Sequence, residues 1–127
     1  MTKKNMMVCV TQQKNCEKLI KKGVELKDKY DEMYIINVVK EHENFLYDQS
    51  DSEALEYLFS VARKADADLT VIRDDDVIKT LADYALKNNV GYIVLGVSPN
   101  IKDVENHPIV KELKKKLRKK SIEYIVV

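Results

Sequence analysis

The sequence predicts an α/β domain in which five parallel strands alternate with four helices. Short apolar runs rich in Val and Ile alternate with longer segments whose apolar residues recur every three or four positions. The short runs are mostly continuous, as in strands buried on both faces of a sheet. Repeated β–α units with short connections force such strands into a parallel sheet covered by helices on both sides. With 127 residues, 45% hydrophobic and 34% charged, the chain suits one domain spanning residues 1–127.

The predicted strands are Met6–Val10, Met33–Val39, Leu69–Ile72, Tyr92–Leu95 and Ile122–Val127. The first helix is expected over about Asn15–Tyr30, with Leu19, Ile20, Gly23 and Leu26 as its inward stripe. The second is expected over about Asp51–Ala65, capped by Ser50 or Ser52, with Glu53 completing a capping box from Ser50. Its apolar face reads Leu55, Leu58, Phe59 and Ala62. Asp74 or Asp75 would cap the third, whose face is Val77, Ile78, Leu81, Tyr84 and Ala85. Asn88 and Asn89 form its stop, since asparagine tolerates the left-handed conformation. The fourth starts at Pro108, a first-turn residue, and buries Val110, Leu113 and Leu117. The polar connection 40–49, with Phe45, Leu46 and Tyr47 at its middle, reads as a surface loop.

A net charge of +1 implies neither a nucleic-acid backbone nor an anionic membrane as partner. The basic stretch Lys111–Lys120 fits the solvated face of the last helix better than an RNA or acidic-partner site, for no aromatics interleave it. No apolar run approaches the roughly 20 residues needed to span a bilayer. The start, Met1–Met7, leads into an apolar run without a small-residue cleavage site. A cytoplasmic protein is therefore expected. Cys9 lies in the first strand and Cys16 near the first helix start; their spacing is not a redox CxxC. His42 and His107 have no nucleophile at motif spacing, so no catalytic set and no metal site are expected.

In an open parallel sheet, ligands bind beyond the carboxyl ends of the strands where the strand order reverses. With order 3-2-1-4-5, the reversal lies between strands one and four. The loops there are Thr11–Asn15 and Gly96–Asn100, both polar and both leading towards a helix. The first has no glycine, which excludes a Walker A loop and a dinucleotide GxGxxG fingerprint. The second has one, Gly96, for which turn-making is explanation enough.

Val8-Cys9-Val10-Thr11 followed by Asn15–Ile20, Asp76-Val77 leading to Ala85, and Tyr92–Ser98 are similar to stretches of the universal stress protein domain. The resemblance covers nearly the whole chain and is to the version inside bacterial potassium-sensing histidine kinases. It implies a Rossmann-like three-layer sandwich, a regulatory or stress-response role without catalysis, and dimers through the last strand. An exposed apolar edge such as Ile122–Val127 needs a partner in any case. ATP-binding members carry an acid just after strand one and G-x2-G-x9-G-[S/T] after strand four. Here Thr11 replaces the acid, Gly96 matches the first glycine, Pro99 replaces the second, and Ile109-Val110 end the pattern.

Proline offers no N–H to a phosphate, so triphosphate binding by the usual loop is not expected and no cofactor is required. ATP or another adenine nucleotide is nonetheless the ligand class that the resemblance admits, lying against Thr11, Gln12, Val38, Val39 and Gly96, with Gln13 and Ser98 completing the site. Kinase-borne relatives that bind a cyclic dinucleotide use serines after strand one and an aromatic-led strand two. Thr11, Gln13 and Met33-Tyr34 fall at those positions. The alternatives are a slow nucleotide hydrolase or nucleotidyl-transferring enzyme of the same fold, and an interaction protein without a ligand.

Overall fold

The strands β1 (Asn5–Cys9), β2 (Met33–Val39), β3 (Asp68–Arg73), β4 (Val90–Leu95) and β5 (Glu123–Val126) alternate with four helices in the computed structural model. The helices are α1 (Cys16–Glu25), α2 (Gln49–Lys64), α3 (Val77–Lys87) and α4 (Pro108–Lys116). The structure describes residues 4–10, 16–39, 49–96 and 108–127. All four strand pairings are parallel and the order is β3-β2-β1-β4-β5, as the sequence predicts.

The side-chain period of two sorts β1 into both layers of the core. Met6, Val8 and Val10 pack with Leu19, Ile20, Leu58 and Ala62 of α1 and α2. Met7 and Cys9 pack on the other side with Leu81 and Ala85 of α3 and with Val110 and Leu113 of α4. Both faces of β1 are therefore buried, which is why its run shows no polar alternation. The edge strands β3 and β5 are half-buried over most of their length.

Asn5 fixes the amino end of the sheet. Its side-chain amide donates to the Asn88 carbonyl at 2.7 Å, and its Oδ1 accepts from the Glu32 amide at 3.1 Å. One step later the β1–β4 register shifts, with Val90 opposite Asn5 but Tyr92 opposite Met6, so Gly91 is the extra residue of a bulge.

Helix ends account for most differences from expectation. α1 stops at Glu25 instead of reaching Tyr30, and a 3₁₀ turn over Lys27–Lys29 follows. Tyr30 then turns inward, and its hydroxyl donates at 2.8 Å to the Gly23 carbonyl, which also accepts from the Leu26 amide at 3.1 Å, so both bonds converge on the end of α1. α2 opens at Gln49, two residues before the predicted start, and the side chains of Ser50, Ser52 and Glu53 lie outside the described residues. Leu58 and Ala62 of its predicted face are buried, but Phe59 is 45% exposed because it falls one position past the inward stripe.

The cap of α3 is Asp76, not Asp74 or Asp75. Asp76 Oδ1 accepts from the Lys79 amide at 3.0 Å, while Asp74 Oδ1 accepts from the Asp76 amide at 2.9 Å and sets up the turn. Asn89 closes this helix in the left-handed region, φ 50°, as predicted for the Asn88-Asn89 stop. Asp76→Ala is expected to cost about 1 kcal/mol, a melting-temperature loss of about 4 °C. Circular dichroism melting reads it, and an unchanged midpoint would mean that the cap contributes nothing.

Candidate functional site

The reversal of strand order falls between β1 and β4, whose partners include Met7 with Ile93 and Val8 with Val94. Their carboxyl ends, Cys9-Val10 and Leu95-Gly96, therefore lie side by side at about 4.8 Å, the spacing of paired strands. Of the predicted site residues, Thr11, Gln12, Gln13 and Ser98 lie outside the described residues, as do the histidines and the Phe45–Tyr47 segment.

Gly96 is half-buried at the tip of β4 on the side of α1. A Cβ built there would sit 3.8 Å from both methyls of Leu19, an ordinary contact. No described glycine has a positive φ. Turn-making therefore does not require a glycine at this position, contrary to the expectation from sequence.

Val38 packs with the α3–α4 layer, so its side chain faces away from α1 and Gly96. Met33 and Tyr34 occupy the amino end of β2, about 16 Å of strand from its other end. Met33 is buried, and Tyr34 meets Tyr84 edge-on at 6.0 Å. They cannot join Gly96 in one ligand site, which removes them from the cyclic-dinucleotide pattern.

Asn37 is a residue that the sequence reading passed over. It is 2% exposed and the one buried polar side chain among the described residues. Strand periodicity puts it on the face of Ile35, towards α1, and the ladder that pairs Cys9 with Ile36 sets it beside Val10. No buried side-chain nitrogen or oxygen among the described residues lacks a hydrogen-bond partner. The available signal was an asparagine inside the apolar run Met33–Val39, where a carboxamide must be satisfied or be replaced.

Burial pushes the Cys9 thiol far up, so it stays neutral and unreactive beside the switch point. Among the described residues no three His, Cys, Asp or Glu gather as a metal site, and no helix is long and apolar enough to cross a membrane. The described grooves lie elsewhere. One of about 620 Å³ runs between α1 and α2 over Ile20, Val24, Val61 and Lys64, and one of about 290 Å³ abuts β3 near Phe59 and Asp66.

A five-stranded all-parallel sheet of this order, with helices on both faces and its switch point between β1 and β4, is a Rossmann-like three-layer sandwich. It is the fold of the universal stress proteins, at sequence identities that establish the fold alone. The chain matches the universal stress protein from Archaeoglobus fulgidus in complex with dAMP at TM-score 0.61 and 15% identity, over 99% of this chain and 98% of that one. A universal stress protein in complex with cAMP matches at 0.61 and 10%, over 100% and 98%. A hypothetical protein whose structure served as a structural-genomics test case for assigning biochemical function matches at 0.67 and 17%, over 100% and 96%. No protein-family model and no curated protein sequence matches the chain.

Proposed function

We propose that the chain is a non-catalytic regulatory module of the universal stress protein type, one domain acting in the cytoplasm, that takes an adenine-nucleotide-sized ligand at the β1–β4 switch point. The observation that carries this reading is the adjacency of the β1 and β4 tips in a fold whose solved examples include proteins holding dAMP and cAMP. Thr11, Gln12, Gln13 and Ser98 would supply polar contacts, Gly96 the close backbone approach, and Val39 and Asn37 the β2 side.

A nucleoside monophosphate suits the site better than a triphosphate. The pattern that ends in glycine and a hydroxyl residue in ATP-binding members ends here in Ile109-Val110, and Val110 is fully buried in the core. Its side chain therefore has no access to a phosphate. The half-buried edge β5 supports a homodimer through 122–127, because an uncovered apolar edge strand invites pairing. The stretches 8–20 and 92–98 ally the module with the version carried by potassium-sensing histidine kinases.

Thermal shift against dAMP, AMP, cAMP and ATP tests the reading. A ligand at one hundred times its dissociation constant stabilises by about 2.7 kcal/mol, a shift of about 10 °C at this chain length. Gly96→Ala is expected to keep the unliganded midpoint, since its Cβ has room, and to reduce the shift. No saturable shift with any of the four would leave a ligand-free interaction module in place of this reading.

A further inference from the structure

We propose that the outer face of α4 and the turn after it bind the phosphate backbone of nucleic acid, independently of base sequence. The balanced net charge conceals a segregated one. Seven of the ten residues 111–120 are Lys or Arg and one is acidic, a local charge of +6. The remainder of the chain carries 15 basic and 20 acidic residues, net −5. All seven basic side chains are exposed. The Leu117 amide donates to the Leu113 carbonyl at 2.8 Å, carrying helical spacing past Lys116. Lys111 and Lys115 thus fall at i and i+4, one basic group per turn of about 5.4 Å along the solvent side, and Arg118, Lys119 and Lys120 continue the charge in the turn that follows.

Ordinary structural roles absorb only part of this charge. Lysines in a last helical turn favour the helix dipole, which accounts for Lys114–Lys116. Lys115 lies 3.5 Å from Glu112, and Lys114 sits 5.8 Å over the Tyr124 ring. Among the described residues Lys111, Arg118 and Lys119 make no ion pair or ring contact, and Lys111, four residues before Lys115 on the helix, repels it.

The surroundings of the stripe select the partner. A protein partner would need an apolar or aromatic anchor, and lysine is depleted from such interfaces. Here Val110, Leu113 and Leu117 are 0%, 0% and 2% exposed, so the apolar stripe of α4 is taken up by the core, and outward the helix shows only Pro108 and part of Ile109 in its first turn. An amphipathic helix on a membrane would need that same apolar face free. A row of lysines with no exposed apolar stripe along it suits phosphates, where affinity comes from counterion release and carries no base specificity.

Fluorescence anisotropy of the full chain with two labelled duplexes of unrelated sequence, from 50 to 200 mM salt, tests the proposal. The expected result is equal affinity for both duplexes, with a salt slope of about −0.9 per phosphate contacted. Lys111→Gln, Lys115→Gln and Lys119→Gln together should weaken binding at least tenfold and make the slope shallower by nearly 3. All three side chains are exposed, and circular dichroism confirms that the variant stays folded. The matching triple at Lys18, Lys21 and Lys64, on the opposite side of the sheet, should bind as the parent does. Absence of binding at 50 mM salt, or equal loss in both triples, overturns the proposal. So does competition by phosphatidylserine vesicles or polyglutamate at charge-equivalent concentration, which would assign the face to a membrane or to an acidic protein.

Discussion

Gly23→Val is expected to lower stability by about 3 kcal/mol, and the melting temperature by about 10 °C. At Gly23 α1 lies close against the sheet. A Cβ at this position would meet Met33 Sδ at 2.8 Å, Met6 Sδ at 3.1 Å and Val8 Cγ2 at 3.3 Å. All three neighbours are at most 5% exposed, so none can swing into solvent to make room. Two effects oppose each other. Replacing a mid-helix glycine recovers a few tenths of a kcal/mol to about 1 kcal/mol of backbone propensity, less for a β-branched residue than for alanine. Overpacking a filled interior costs about 1–3 kcal/mol and dominates once two methyls are added to the Cβ.

The Gly23 carbonyl also accepts the Tyr30 hydroxyl, so a displaced α1 would disturb the helix terminus as well. Gly23→Ala should fall between the parent and the valine variant. Urea unfolding of the three proteins measures the series, and a valine variant as stable as the parent would show that α1 does not approach the sheet this closely.

What was legible in the sequence follows a physical pattern. Strand β1 and strand β4 announce themselves because both of their faces are buried, leaving continuous apolar runs. Repeated β–α units point to a parallel sheet, and the sheet has the order 3-2-1-4-5 on which the switch point is reckoned. Features decided by three-dimensional contact were not legible. Gly23 reads as one more small residue in a helical stripe, and only the packed layer reveals that nothing larger fits. Val38 was placed in the site because of its position along β2, but alternation turns its side chain to the other layer; Asn37 beside it faces α1. Asp74 and Asp75 read as the cap from sequence, and only backbone geometry reveals that Asp76 caps while Asp74 makes the turn before it.

Leu113→Ala is expected to destabilise by about 3–4 kcal/mol, within the range for a fully buried leucine whose cavity cannot collapse. Helix α4 has nine residues, too short for a helix to persist in water by itself. Its outward side works against it. Lys111 and Lys115 are like charges spaced four apart on the helix, and such a pair costs a few tenths of a kcal/mol. The helix is therefore held by its inward stripe, in which Leu113 is central between Val110 and Leu117 and packs against Cys9, Ile93 and the α3 residues of the same layer.

Truncating that side chain leaves lysine-rich helix with nothing to oppose its own repulsion, so the amides of α4 should lose exchange protection before those of β1 and β4 do. Added salt should recover part of the loss in the variant, because it screens the lysines and leaves the cavity unchanged. Urea unfolding at two salt concentrations separates the two terms. A loss below about 1 kcal/mol, far under the cost of emptying a core leucine site, would mean that α4 is not anchored through Leu113.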